Sequence, residues 1–86
     1  MLVRFKIPPP NSIPEAEARQ LADALGQVGG DSSELAARIR RGWTTTPEVD
    51  LSKPEGQLIL DAWPQADLDG ERAIALKGSL MKYVQG

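Results

Sequence analysis

The 86-residue chain contains neither cysteine nor histidine. Without cysteine, disulfides, thiolate metal sites and a cysteine nucleophile are excluded. Without histidine, the commonest general base and the commonest zinc ligand are missing. No apolar run approaches the ~20 residues of a membrane span. The N-terminal residues lack the long apolar core of a signal peptide, so the cytoplasm is the expected compartment. A basic excess is also lacking. Residues 1–43 carry six basic and five acidic groups, residues 44–86 carry four and seven, and the net charge is −2. That balance argues against nucleic acid as a partner, since general binding to phosphates needs a clear basic surplus.

The chain does have enough apolar material for one modest core: about 25 large apolar residues and ten alanines. A single domain over residues 1–86 is expected. A domain this small is marginal by surface-to-volume scaling, so a partner or a second copy of itself would help to stabilise it.

Residues 12–42 read as two short helices. In the first, Ser12 and Glu15 have the spacing of a capping box. Pro14 shifts the boundary, because proline favours the first helical position and pushes its predecessor out of the α region. The cap is therefore Ser12 or Ile13. Glu15 and Glu17 fall in the first turn, where the helix dipole favours negative charge. Ala18, Leu21, Ala22 and Leu25 repeat at i, i+3, i+4, i+7, the pattern of one buried face. Glu15 and Arg19 are spaced as a surface ion pair, and Gly26 is placed to end the helix. The second helix starts at Asp31 with Glu34 three residues later, continues through Leu35, Ala36 and Ile39, and stops at Gly42. Arg38, Arg40 and Arg41 crowd its last turn. The linker between the two helices is short, so they are expected to be neighbours.

Residues 1–7 alternate as a strand, with Val3, Phe5 and Ile7 on one face. Pro8, Pro9 and Pro10 end it as a stiff spacer. After Gly42, Trp43 and three threonines favour extended structure, and residues 47–51 read as loop. Ser52 and Glu55 repeat the capping pattern and open a third helix, with Leu58, Ile59, Ala62 and Trp63 on one face and Pro64 at its end. Asp67 or Asp69 can cap the last element. Residues 71–84 fit a helix, with Ala73, Leu76, Leu80 and Val84 in a stripe, or a hairpin turning at Lys77-Gly78. The helix is the preferred reading. The hairpin would offer the N-terminal strand a partner, and so would residues 43–46 or the same strand in another copy. Intermolecular pairing is favoured, because an unpaired strand edge is a template for strand addition.

Three short motifs compete with ordinary structure. Asp67, Asp69 and Gly70 resemble the middle of a calcium loop, but the position of the bidentate glutamate holds Leu76, and helix capping explains the same residues. Gly29-Gly30-Asp31-Ser32 resembles the serine motif of peptidyl carrier proteins, which implies a phosphopantetheine arm on Ser32; here Ser33 and Glu34 follow where carriers have apolar residues. Residues 20–26 and the helix after them resemble a helix-turn-helix, which implies a DNA-binding regulator. Ser32, Ser33 and Glu34 would then enter the major groove, with Arg38, Arg40 and Arg41 at the far end.

The fold class expected is α+β and mostly helical: an N-terminal strand, three short helices and a C-terminal helix, with a C-terminal β-hairpin as the alternative. The expected function is a small non-enzymatic protein–protein interaction module, self-associating through its N-terminal strand. The helix-turn-helix regulator is the alternative and the carrier-like protein the third. The partner is another protein or a second copy, with no membrane and no cofactor, metal or catalytic residue assigned. The residues expected to contact the partner are Val3, Phe5 and Ile7 on the strand, and Arg38, Arg40, Arg41 and Trp43, since arginine and aromatic residues are enriched at binding hot spots.

Overall fold

The N-terminal alternation becomes a strand, β1 (Leu2–Phe5), with Val3 buried and Leu2 at the surface. The computed structural model describes residues 1–5, 12–42 and 48–86. Among these, the chain continues with β2 (Ser12–Ile13), α1 (Glu15–Val28), α2 (Asp31–Gly42), β3 (Glu48–Asp50), α3 (Lys53–Ala66) and α4 (Glu71–Gln85). The protein is thus α+β and mostly helical, and its C-terminal segment is a helix, not a hairpin. The proline run and the segment around Trp43 lie outside the described residues. No helix among those described is long and apolar enough to cross a membrane.

β1 is the middle strand of a sheet ordered β2-β1-β3. It runs parallel to β2, with Arg4 opposite Ser12 and Phe5 opposite Ile13. It runs antiparallel to β3, with Leu2 opposite Asp50, Val3 opposite Val49 and Arg4 opposite Glu48. Both sides of β1 are therefore paired within the chain, and the expected intermolecular pairing of this strand is corrected. Its neighbours come from stretches read as a helix cap and as a loop. β2 has two residues and β3 three, with one buried side chain, Val49, between two exposed ones. Strands that short carry no periodic signal.

Helix ends also depart from the sequence reading. Ser12 is buried in the sheet, and Pro14 takes the N-cap of α1 without a side-chain hydrogen bond. The helix passes Gly26 and ends at Gly29, where φ is 82°, followed by Gly30 at 61°. Left-handed backbone favours glycine, and two in succession make the tight reversal into α2. In α3 the capping box forms as expected: the Glu55 N–H donates to Ser52 Oγ at 3.3 Å and the Ser52 N–H to Glu55 Oε1 at 2.8 Å. Pro64 does not stop this helix. It is exposed in the last turn, where losing one backbone bond is tolerated, and the helix ends at Asp67 with φ 54°. Asp67 is thus the left-handed cap of α3, and Gly70 holds the N-cap of α4.

Most of the core faces read from the periodicity are buried: Ala18, Leu21, Ala22 and Leu25 on α1, Leu35, Ala36 and Ile39 on α2, Ile59, Ala62 and Trp63 on α3, and Ala73, Leu76 and Leu80 on α4, whereas Leu58 and Val84, at the margins of their stripes, are only half-buried. At the centre, every element supplies one side chain to a small apolar cavity. Val3, Ile13 and Val49 come from the sheet, Leu21, Ile39, Ile59 and Leu76 from the four helices, and Leu51 from just beyond β3. Truncating one of these leaves a void that its neighbours cannot fill. Ile59→Ala is expected to destabilise the fold by about 2–5 kcal/mol in urea unfolding. Val28→Ala, at a side chain 54% exposed, is expected to change stability by less than about 0.5 kcal/mol. Equal effects at the two positions would refute this placement of the core.

Candidate interaction surface

Arg38 and Arg40 fall on different sides of α2, as a spacing of two residues dictates. Arg38 reaches the first turn of α3 and the end of β3. Its Nη1 forms an ion pair with Glu55 Oε2, and its Nη2 donates to the Asp50 carbonyl at 2.8 Å. Arg40 turns the other way and donates from Nη2 to Asp23 Oδ1 of α1 at 2.9 Å. Arg41 is exposed and has an interaction partner of its own. Arg38 and Arg40 therefore do not share one basic patch. Arg38 and Arg40 act as ties between α2 and its neighbours, with their charge balanced inside the chain.

Glu55 is the hub of the first tie. The Ser52 backbone N–H holds its carboxyl below the ordinary carboxylate range, burial opposes that shift, and the Ser52 hydroxyl and Arg38 add to it. Beside this pair lies a groove of about 310 Å³ between α2 and α3, bordered by Asp31, Glu34, Leu35, Pro54 and Leu58. Its one arginine, Arg38, is the one already paired with Glu55.

Of the other residues expected to meet a partner, Val3 is 5% exposed and belongs to the core. Phe5 closes β1 in register with Ile13. Ile7 and Trp43 lie outside the described residues. Ser32, the position of a carrier's prosthetic arm, is 2% exposed and faces inward from α2. The first turn of α2 therefore presents Ser33 and Glu34 at the surface.

A different surface emerges on α3 and α4. A groove of about 340 Å³ between them is lined by Gln57, Leu60, Asp61, Lys77, Met81, Val84 and Gln85. Gln57 Nε2 donates to Asp61 Oδ1 at 2.8 Å along its rim. Ile74 and Met81 remain 59% and 44% exposed, two of the four large apolar side chains left open among the described residues. They lie seven residues apart, with Gly78 between them, and no atom lies within 4 Å of where a Gly78 side chain would begin. This stripe runs along α4 on the side away from Ala73, Leu76 and Leu80. Glu71, Lys77 and Lys82 border it, and none of them is in an ion pair among the described residues. Sequence reasoning missed this surface because it sought one apolar stripe on α4. A second one, Ile74 and Met81, was present in the same window.

No protein-family model, curated protein or solved structure matches the chain.

The geometry at Glu55 sets a pH dependence. A carboxyl held below its unfolded value of 4.5 contributes stability at neutral pH, and that contribution is lost as pH falls through the lowered folded value. Glu55→Gln retains a residue able to complete the capping box but removes the titrating group. The variant is expected to be less stable than the parent at pH 7, by about 1 kcal/mol, and the gap should close as pH falls through the lowered folded value. Urea unfolding at several pH values measures this, and a gap that persists unchanged in acid would contradict it.

Proposed function

We propose that the chain is a small non-enzymatic protein–protein interaction module, and that it meets its partner through the outer face of α3 and α4. The observation that carries this is the Ile74–Met81 stripe. Exposed apolar side chains scattered singly are normal, but Ile74 and Met81 share one helix stripe, and Met81 also lines a groove containing Leu60 and Val84, with polar side chains at its rim. That is the shape an amphipathic helix requires for docking, with anchors at helical spacing and charges at the edges. The uncommitted charges of Glu71, Lys77 and Lys82 add to it. Side chains whose charge is already balanced within the fold, such as Arg38 and Arg40, have less to offer a partner.

Support for a non-enzymatic role comes from chemistry. The chain has no histidine or cysteine, and the polar groups lining the α3–α4 groove are two glutamines, an aspartate and a lysine at its rim. They include no serine, threonine or cysteine nucleophile.

The reading is tested by affinity capture from the source cell with the parent chain and with an Ile74→Asp, Met81→Asp double variant. Both positions are exposed, so the variant is expected to keep its helical circular dichroism and a thermal midpoint close to the parent's. Proteins held by the parent should be lost by about tenfold or more, the loss expected from removing central apolar anchors. Retention of the same proteins at the same level would exclude this face.

A further inference from the structure

We propose that the partner on the α4 face is a second copy of this chain, docked with the two α4 helices antiparallel; this rests on the α3–α4 face being the contact surface. A two-fold interface must be complementary to itself: if residue i meets residue j, then j meets i. The outer side of α4 meets that requirement.

Ile74 and Met81 are seven residues apart, about two helical turns, and so share one side of the helix. Glu71 and Lys82 are eleven apart, about three turns, and share the flank next to that side. In an antiparallel pair, residues equidistant from the two-fold axis face each other, and like flanks meet. Seating Ile74 against Met81 of the second copy puts the axis beside Gly78. It also brings Glu71 to within about 3 Å, measured along the axis, of Lys82 of the second copy. The same two contacts occur again on the other side of the axis. A parallel pair would instead leave Glu71 and Lys82 about 16 Å apart along the helix. Neither residue has an ion-pair partner among the described residues of its own chain.

Gly78 sits where two backbones approach most closely. The space over its Cα is open, and the missing side chain lets the helices come together. Lys77 falls near the axis on the opposite flank, where it would approach its own copy. Asp61 lines the same groove beside it and offsets that charge.

The experiment is sedimentation equilibrium over a rising concentration of the full chain. It compares the parent, Glu71→Lys, Lys82→Glu, an equimolar mixture of those two variants, and the two changes combined in one chain. The parent is expected to approach twice the monomer mass. Each single variant places like charges at both contacts and should weaken association at least about tenfold. The mixture and the combined variant restore opposite charges at both contacts and should recover the parent's association. These positions are exposed, and circular dichroism of each variant is expected to match the parent.

A parent that stays monomeric throughout would overturn the second-copy assignment, as would single variants that dimerise like the parent or a mixture that fails to recover. A monomeric parent that still captures a different protein through Ile74 and Met81 would remove only that assignment. Self-association untouched by Ile74→Asp, Met81→Asp would remove the α3–α4 face itself.

Discussion

Seven apolar side chains, one from each element, meet at one small cavity, and the rest of the fold depends on that meeting. The strands are only two to four residues long, too short to persist on backbone pairing alone. Each is held because its inward residue, Val3, Ile13 or Val49, is part of the common core. The helices depend on the sheet in turn, since Leu21, Ile39, Ile59 and Leu76 complete their burial against it. Polar contacts at the rim lock the same arrangement. The Met1 nitrogen donates to the Leu51 carbonyl at 2.6 Å, and the Tyr83 hydroxyl donates to the same oxygen at 2.8 Å. Arg72 Nη2 of α4 donates to the buried Ser12 hydroxyl of β2 at 2.7 Å. The ends of the chain are thereby fastened to its middle.

This arrangement decides which surface is available to a partner. With β1 lying between β2 and β3 and Val3 in the core, the N-terminal strand is the middle of the sheet and has no bare apolar face at that position. The ion pairs of α2 have the same effect on its basic charge. Arg38 is placed where one side chain can join α2, the first turn of α3 and the end of β3, and Arg40 joins α2 to α1. The exposed Arg40–Asp23 pair is worth about 0–1 kcal/mol, and the main effect of both pairs is to fix geometry and balance charge. The outward side of α4 stays uncommitted, and there apolar and charged side chains both lack partners within the described structure.

Long periodic segments were legible in the sequence. The buried faces of α1, α2, α3 and α4 follow from apolar spacing, and the start of α3 follows from Ser52 and Glu55. β1 follows from alternation. Its pairing does not, because β2 and β3 are too short to alternate and are recruited by the core, not by propensity. Ser12 shows the difficulty. Its position before Pro14 and Glu15 is that of a helix cap, yet its hydroxyl accepts from Arg72, a residue 60 positions away. Pro64 and Asp67 misled for the reverse reason, since a proline in the last turn and an aspartate in the left-handed region are both compatible with the end of a helix. The arginine patch misled because clustering in sequence ignores the rotation of the helix: Arg38 and Arg40 point to different neighbours. The stripe of Ile74 and Met81 was readable in principle, as a second apolar line on a helix whose first line already accounted for burial.

The most direct test of where this protein makes contact is a dilution series followed by amide nuclear magnetic resonance. Chemical-shift changes with concentration should gather on α4 at Ile74, Lys77, Gly78 and Met81 and on the neighbouring Leu60 and Asp61, while Leu2–Phe5, Ser12–Ile13 and the amides around Arg38 and Arg40 stay constant. Changes centred on the three strands or on the arginines of α2, with α4 unaffected, would contradict that assignment.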